Sequence, residues 1–171
     1  MNAEITFTPN DESYMRIALE EAFSAAEAGD VPVGAVLVEN ATGTILARGR
    51  NTRELSQTAL GHAEINAIAE GCTVLGGWRL ADCTLYVTLE PCPMCAGAIL
   101  HARIPRIVCG AADLVAGAMG SVWALHRHPI ENKHTRVEFG CLETECREVL
   151  QDFFRRRRSD DGIVGKHPEY N

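Results

Sequence analysis

Cys92 and Cys95 stand at C-x-x-C spacing in the run Pro91-Cys92-Pro93-Met94-Cys95. That spacing, just after an apolar stretch and at a helix start, lets two thiolates face one metal ion. The positive end of such a helix favours the deprotonated ligands. His62 supplies a third donor, and Glu64 follows it by two residues. Catalytic zinc typically takes three protein ligands and leaves a fourth position for water, whose pKa falls to about 7. A carboxylate beside that position can act first as general base and then as general acid. The chemistry these residues would perform is hydrolytic: activated water attacks an electrophilic ring carbon, Glu64 carries the proton to a ring nitrogen and then to the departing amine, and ammonia leaves. A closed zinc knuckle that only staples the fold is the alternative, with Cys72, Cys83, Cys109, Cys141 or Cys146 as fourth ligand. None of these forms a second tight pair with His or Cys, and single cysteines among apolar neighbours are usually buried small hydrophobes. Glu64 favours the catalytic site, because a structural knuckle needs no proton carrier.

The elements that must hold this group are legible from patterning. A first helix, capped by Asp11 or Ser13, is expected to reach about Gly29 with Ile17, Leu19, Ala22, Phe23 and Ala26 as its apolar stripe. Residues 31–38 read as a buried strand, 40–43 as a turn and 44–50 as the returning strand of a hairpin, with Asn51 at its end. A helix opening at His62 is expected to run to about Glu70. Residues 84–89 are a strand by composition, Glu90-Pro91 breaks it, and Pro93 suits the first turn of a helix continuing to about Arg103. Residues 106–109 read as another strand, 111–121 as a glycine-rich connector and 136–139 as a last strand. A final helix is expected from about Thr144 to Arg158. Strands alternating with helices after an initial hairpin predict an α/β domain, a three-layer α/β/α sandwich around one mixed central sheet. One domain is expected over 1–158, with the polar stretch 159–171 as a mobile C-terminal tail.

Bulk properties set limits. The 171 residues, 46% hydrophobic and 23% charged, suffice for a real core. Sixteen basic and 23 acidic side chains leave a formal charge of -7, so a nucleic-acid contact would need a local basic patch; Arg155 to Arg158 is the strongest one. Seven cysteines, an odd number, argue for metal binding over a disulfide framework. The start of the chain lacks the basic and apolar run of a signal peptide, and the apolar stretches are too short to span a bilayer, which predicts a cytoplasmic protein. Trp78 and Trp123 read most simply as core or interface residues.

His62-Ala63-Glu64 followed by Pro91-Cys92-Pro93-Met94-Cys95 resembles the HxE…PCxxC signature of the cytidine-deaminase-like zinc deaminases. Further segments are similar to the bacterial tRNA-specific adenosine deaminases among them. They include Pro32-Val33-Gly34-Ala35, Asn51, Leu85 through Glu90, Cys95-Ala96-Gly97-Ala98-Ile99, Asp113, Gly117-Ala118, Gly120-Ser121 and Asp152-Phe153-Phe154. The resemblance spans about Tyr14 to Arg158. It implies zinc, one ion per subunit, on His62, Cys92 and Cys95, with Glu64 as the catalytic proton shuttle. It implies that Asn51 hydrogen-bonds the target base and that Asp113 meets the nucleotide backbone. Phe153 and Phe154 would lie near flipped-out nucleotides. The implied reaction is conversion of wobble adenosine to inosine in a tRNA anticodon stem-loop by a homodimer.

Two stretches depart from the family pattern. Leu114-Val115-Ala116 stands where a basic and polar run is common, and Asn132-Lys133-His134 stands in a longer insert where Asn and His are usually adjacent. Both fall where RNA would be gripped and not at the metal. They keep open a second reading, a free nucleobase or nucleoside deaminase of the guanine or cytosine type. A third, from a different class, is a non-catalytic RNA-binding or scaffold subunit with a structural zinc; the intact Glu64 argues against it.

Overall fold

The computed structural model describes residues 6–128 and 135–160. Its elements in chain order are α1 (Pro9–Glu27), β1 (Gly34–Glu39), β2 (Ile45–Arg50), α2 (Ala63–Leu75), β3 (Cys83–Leu89), α3 (Pro93–His101), β4 (Arg106–Ala111), a 3-10 turn (Leu125–Arg127), β5 (Arg136–Phe139) and α4 (Glu143–Asp160). The five strands form one sheet in the order β2-β1-β3-β4-β5. Pairings β1–β2 and β1–β3 are antiparallel, β3–β4 and β4–β5 parallel, so the sheet is mixed as expected.

Side-chain alternation divides the core between the two faces of the sheet. Ala35, Leu37, Leu85, Val87, Ile107 and Cys109 point to one face and pack with Ala63 and Ala67 of α2 and Ala96 and Ile99 of α3. Val36, Val38, Tyr86 and Val108 point to the other and pack with Met15, Ala18 and Leu19 of α1 and Cys146 of α4. Helices thus cover both faces, and the α/β/α sandwich is the observed architecture. Two glycines set how closely the helices lie. A Cβ on Gly34 would overlap the Ala18 carbonyl of α1, and one on Gly49 would overlap the Ala63 carbonyl of α2.

Some boundaries differ from expectation for local reasons. Thr8, not Asp11 or Ser13, caps α1: its hydroxyl accepts from Asp11 N (3.1 Å), while the Asp11 carboxylate accepts from Thr8 N (2.9 Å), and Pro9 fills the first helical position. α2 passes through Gly71 to Leu75. Gly71 is a packing site within the helix, where a Cβ would overlap the Leu37 side chain, so it does not end the helix. Trp78 and Trp123 are about half exposed and are not core residues. Residues 161–171, most of the expected tail, and Asn132-Lys133-His134 lie outside the described residues.

Strand directions bring the candidate site residues to one edge. Because β2 and β3 are both antiparallel to β1, strands β2, β3 and β4 all run the same way. Asn51, Glu90-Pro91-Cys92 and Asp113 follow the carboxyl ends of these three strands, where ligands of open α/β sheets bind. At the opposite edge a charged cluster ties α1 to the sheet. Arg106 donates to Asp11 Oδ1 (2.7 Å) and Glu138 Oε2 (2.6 Å), Tyr86 OH donates to Asp11 Oδ1 (2.7 Å), and Arg136 pairs with Glu138 (2.7 Å).

Candidate metal centre

His62 is the residue before the first turn of α2, and Cys92 the residue before the first turn of α3; Cys95 sits within that first turn. The packing of α2 and α3 on the same face of the sheet brings the three together across 30 residues of chain. His62 Nδ1 lies 3.7 Å from Cys92 Sγ and 3.5 Å from Cys95 Sγ. The three ligand atoms lie within 4.8 Å of one another, and among the described residues no other His, Cys, Asp or Glu joins the group. The other five cysteines are described, free and elsewhere, so the closed four-ligand knuckle lacks its fourth donor.

The donor set fits zinc. Tetrahedral coordination with metal–sulfur near 2.3 Å and metal–nitrogen near 2.0 Å separates adjacent sulfur and nitrogen by about 3.5 Å. The two observed S···N separations match that edge length. The protonation pattern points the same way. The Cys92 thiol is held down to about 4 by the Cys95 thiol and the His62 ring facing it, whereas that neighbouring charge and burial push Cys95 up. The His62 imidazole is raised, chiefly by its contact with Cys92. A divalent cation among these atoms displaces their protons and leaves both sulfurs anionic.

Glu64 lies in the first turn of α2, only 4% exposed. Burial pushes its carboxyl up to about 7, and the charge at Cys92 adds to this against the opposing pull of His62 and Cys95. A carboxyl poised near neutrality can both take and give a proton at physiological pH.

The remaining expected residues fall into three places. Asn51 is buried; its Nδ2 donates to Val31 O (3.1 Å) and its Oδ1 accepts a long bond from Arg53 N (3.4 Å). The loop after it is held by Asp30, fully buried, which accepts from Glu54 N (2.7 Å) and Leu55 N (3.1 Å). Asp113 is buried too, and its Oδ1 accepts from Val115 N (2.9 Å) and Ala116 N (3.0 Å). Asp113 and Phe154 share a groove of about 440 Å³ with Leu114, Val115, Arg155 and Arg158. Phe153 turns instead to a separate groove between α1 and α4, about 600 Å³, beside Phe23 and Arg157. The adjacent rings meet edge to face with centroids 5.4 Å apart, yet they serve different surfaces.

One residue was not foreseen as more than a strand breaker. Glu90 is 2% exposed, and its carboxylate accepts from the amides of Asp113, Met119 and Ser121, each at 3.0 Å.

Two thiols, an imidazole and an adjacent buried carboxyl, at the strand-end edge of a sandwich of this topology, are the arrangement expected of a hydrolytic deaminase of the cytidine-deaminase-like class. Residues 9–158 match the family model described as MafB19-like deaminase. The tRNA-specific adenosine deaminase of Bacillus subtilis (strain 168) is 49% identical over 157 residues, 92% of this chain and 96% of that one. A solved chain from work on A-to-I editing by tRNA:A34 deaminases at the wobble position of transfer RNA is 43% identical, with a TM-score of 0.77 over 81% of this chain and 99% of that chain. A guanine deaminase from Nitrosomonas europaea is 25% identical, with a TM-score of 0.71 over 89% of this chain and 88% of its own. The chain belongs to the MafB19-like deaminase family and, within it, to the tRNA-specific adenosine deaminases.

Proposed function

We propose that the chain hydrolyses the wobble adenosine of a tRNA anticodon to inosine, releasing ammonia, as a cytoplasmic homodimer whose residues 1–158 form one domain. The observation that carries the chemistry is the placement of Glu64, a carboxyl 4% exposed in the first turn of α2, beside a three-donor cluster with no fourth protein ligand among the described residues. The substrate is carried over from relatives that share 43–49% of their residues with this chain and act on tRNA.

In this reading His62, Cys92 and Cys95 hold zinc, which when bound supplies Lewis-acid activation of a water molecule. Glu64 takes one water proton and passes it to the adenine ring nitrogen beside the reacting carbon, then moves the second, from the hydroxyl added to that carbon, to the departing amine. Asn51 orients the base with the amide hydrogen left over from its bond to Val31 O. Asp113 and Phe154 meet the flanking nucleotides along the groove they share, with Arg155 and Arg158 near the phosphates. Phe153, in the neighbouring groove, contacts RNA only if the strand crosses α4. Exposed apolar side chains at Leu60, Val122 and Trp123 support burial against a second subunit.

A specific observation favours a second reading. Leu114 is 81% exposed beside the groove where a polyanion would lie, and the fold is shared with a guanine deaminase. One experiment separates the two. Ammonia release is measured in parallel from an anticodon stem-loop, adenosine, cytidine, guanine and cytosine. Turnover of the stem-loop alone is expected; turnover of a free base or nucleoside with an idle stem-loop overturns the tRNA reading.

A further inference from the structure

From the geometry around Glu90 we infer that it is a positioning residue for substrate, fixing the loop that bears Asp113 against the corner that bears Cys92. Glu90 occupies the position between the last residue of β3 and the Pro91-Cys92 corner. Its side chain faces away from that corner in its bonding: Oε2 accepts from Asp113 N, and Oε1 accepts from Met119 N and Ser121 N. All three donors belong to the connector after β4, 23 to 31 residues downstream.

A second contact joins the same two segments, since Ala118 N donates to Pro91 O at 2.9 Å. Within the connector, Gly117 N donates to Asp113 O, and the amides of Val122 and Trp123 return to Gly117 O. Gly117 is also where the carboxylate passes: a Cβ there would overlap Glu90 Oε2 and the Asp113 carbonyl. The connector therefore winds around one buried carboxylate, with a glycine leaving the space for it. A carboxylate accepting several amide bonds is a strong, directional anchor. A generic strand-ending acid would need no such enclosure.

The arrangement has a consequence for catalysis. The metal corner and the Asp113 turn are separate pieces of chain, and the distance between them sets where a bound nucleotide lies relative to the reacting atoms. Glu90 belongs neither to the three-donor group nor to the lining of the Asp113 groove, and fixes that distance through the connector. It is thus expected to govern binding of the extended substrate more than the chemical step. The kinetic part of this inference rests on the reading of Asp113 as an RNA contact; the anchoring itself does not.

The test uses Glu90→Gln in the full-length zinc-loaded protein. The amide nitrogen must face either Asp113 N–H or the Met119 and Ser121 pair, so accepted bonds are replaced by a donor–donor contact. Hydrogen exchange without RNA is read first. At least one of these three amides is expected to exchange about 10-fold faster or more, with zinc content unchanged. Steady-state kinetics on the stem-loop follow, with KM expected to rise about 10-fold and kcat to stay within about 3-fold of the parent. Because Glu90 acts through the placement of Asp113, Glu90→Gln combined with Asp113→Ala should have a KM no worse than the poorer single variant. Unchanged exchange at all three amides, loss of zinc, a fall in kcat with KM unmoved, or additive effects in the double variant would each overturn the assignment. Should Glu90→Gln fail to fold, Glu90→Asp, too short to reach all three donors, is read by the same criteria. A parent enzyme idle on the stem-loop sinks the substrate reading instead, and the exchange measurement still decides the anchoring.

Discussion

His62 and Cys92 hold the same station on two different helices. Each is the residue before the first helical turn, in extended backbone (φ -85°, ψ 149° and φ -70°, ψ 171°), and neither side chain caps its own helix. Freed from capping, the two side chains meet each other at 3.7 Å. The positive ends of α2 and α3 consequently converge where thiolate charge collects, which favours the ionised ligands.

The proposed zinc site makes metal binding depend on both cysteines. Protein purified without chelator is expected to carry a single zinc ion. Cys92→Ser and Cys95→Ser should each bind zinc at least about 100-fold more weakly, read by competition with a chromogenic chelator. Chelation should also lower the unfolding midpoint of the parent, because a ligand that binds only the folded state stabilises it. Equal zinc affinity in parent and variants would rule out the assigned ligands.

Glu64→Gln separates proton transfer from metal binding. The amide keeps the shape and cannot carry a proton, so kcat is expected to fall about 10²–10⁴-fold. Zinc content should remain that of the parent. Retained activity would show that another group moves the proton.

Gly49 and Gly34 offer a matched pair on opposite faces of the sheet. Alanine at either overlaps a helix carbonyl, and each variant should lose about 1–3 kcal/mol of stability. Only Gly49→Ala presses on Ala63, the neighbour of His62, so only that variant should also weaken zinc affinity. Gly34→Ala presses on α1 and should leave zinc affinity alone. A common loss of affinity in both would mean that the metal site responds to general stability.

The Asp11–Arg106 pair predicts a pH dependence of stability. Burial alone would raise the Asp11 carboxyl, but Arg106, the Thr8 amide and the Tyr86 hydroxyl together hold it well below the usual carboxylate range. A carboxyl lowered in the folded state contributes stability that is fully present above its unfolded value of about 3.8 and is lost as pH falls further. Asp11→Asn is therefore expected to be about 2–3 kcal/mol less stable than the parent from neutral pH down to about 4, with Arg106 still paired to Glu138. The gap should narrow below that, followed by urea denaturation at a series of pH values. A gap unchanged down to acid pH would show that Asp11 acts by shape and not by charge.

The clustering of His62, Cys92 and Cys95 beside Glu64 was legible because the spacings are local: two thiols three residues apart, and a carboxyl two residues after a histidine. The strands were legible from apolar runs, and strand order places their carboxyl ends on one edge. Glu90 was not legible in its role, since its partners are backbone amides in a distant connector, and amides carry no sequence signature. The direction of Phe153 and Phe154 was equally hidden, because successive helical positions point about 100° apart and only the packing of α4 says which way. Thr8 could have been read: Thr-Pro-x-Asp is a capping box with proline at the first helical position. Gly71 misled because a glycine demanded by packing looks, in sequence, like one that ends a helix.

The buried acids alter how the molecule looks to an approaching polyanion. Six carboxylates among the described residues, Asp11, Asp30, Glu64, Glu90, Asp113 and Glu138, face inward. Asp30 and Glu90 bond main-chain amides through both oxygens and Asp113 through Oδ1 alone, Asp11 and Glu138 pair with guanidinium groups, and the Glu64 carboxyl is raised by burial. Their charges still count toward the formal excess of -7, because an amide bond neutralises nothing and the paired arginines are already in that sum. What burial changes is access: few of these oxygens can be met at close range by a phosphate or a mobile cation, so the acidic groups on the contact surface are fewer than composition implies.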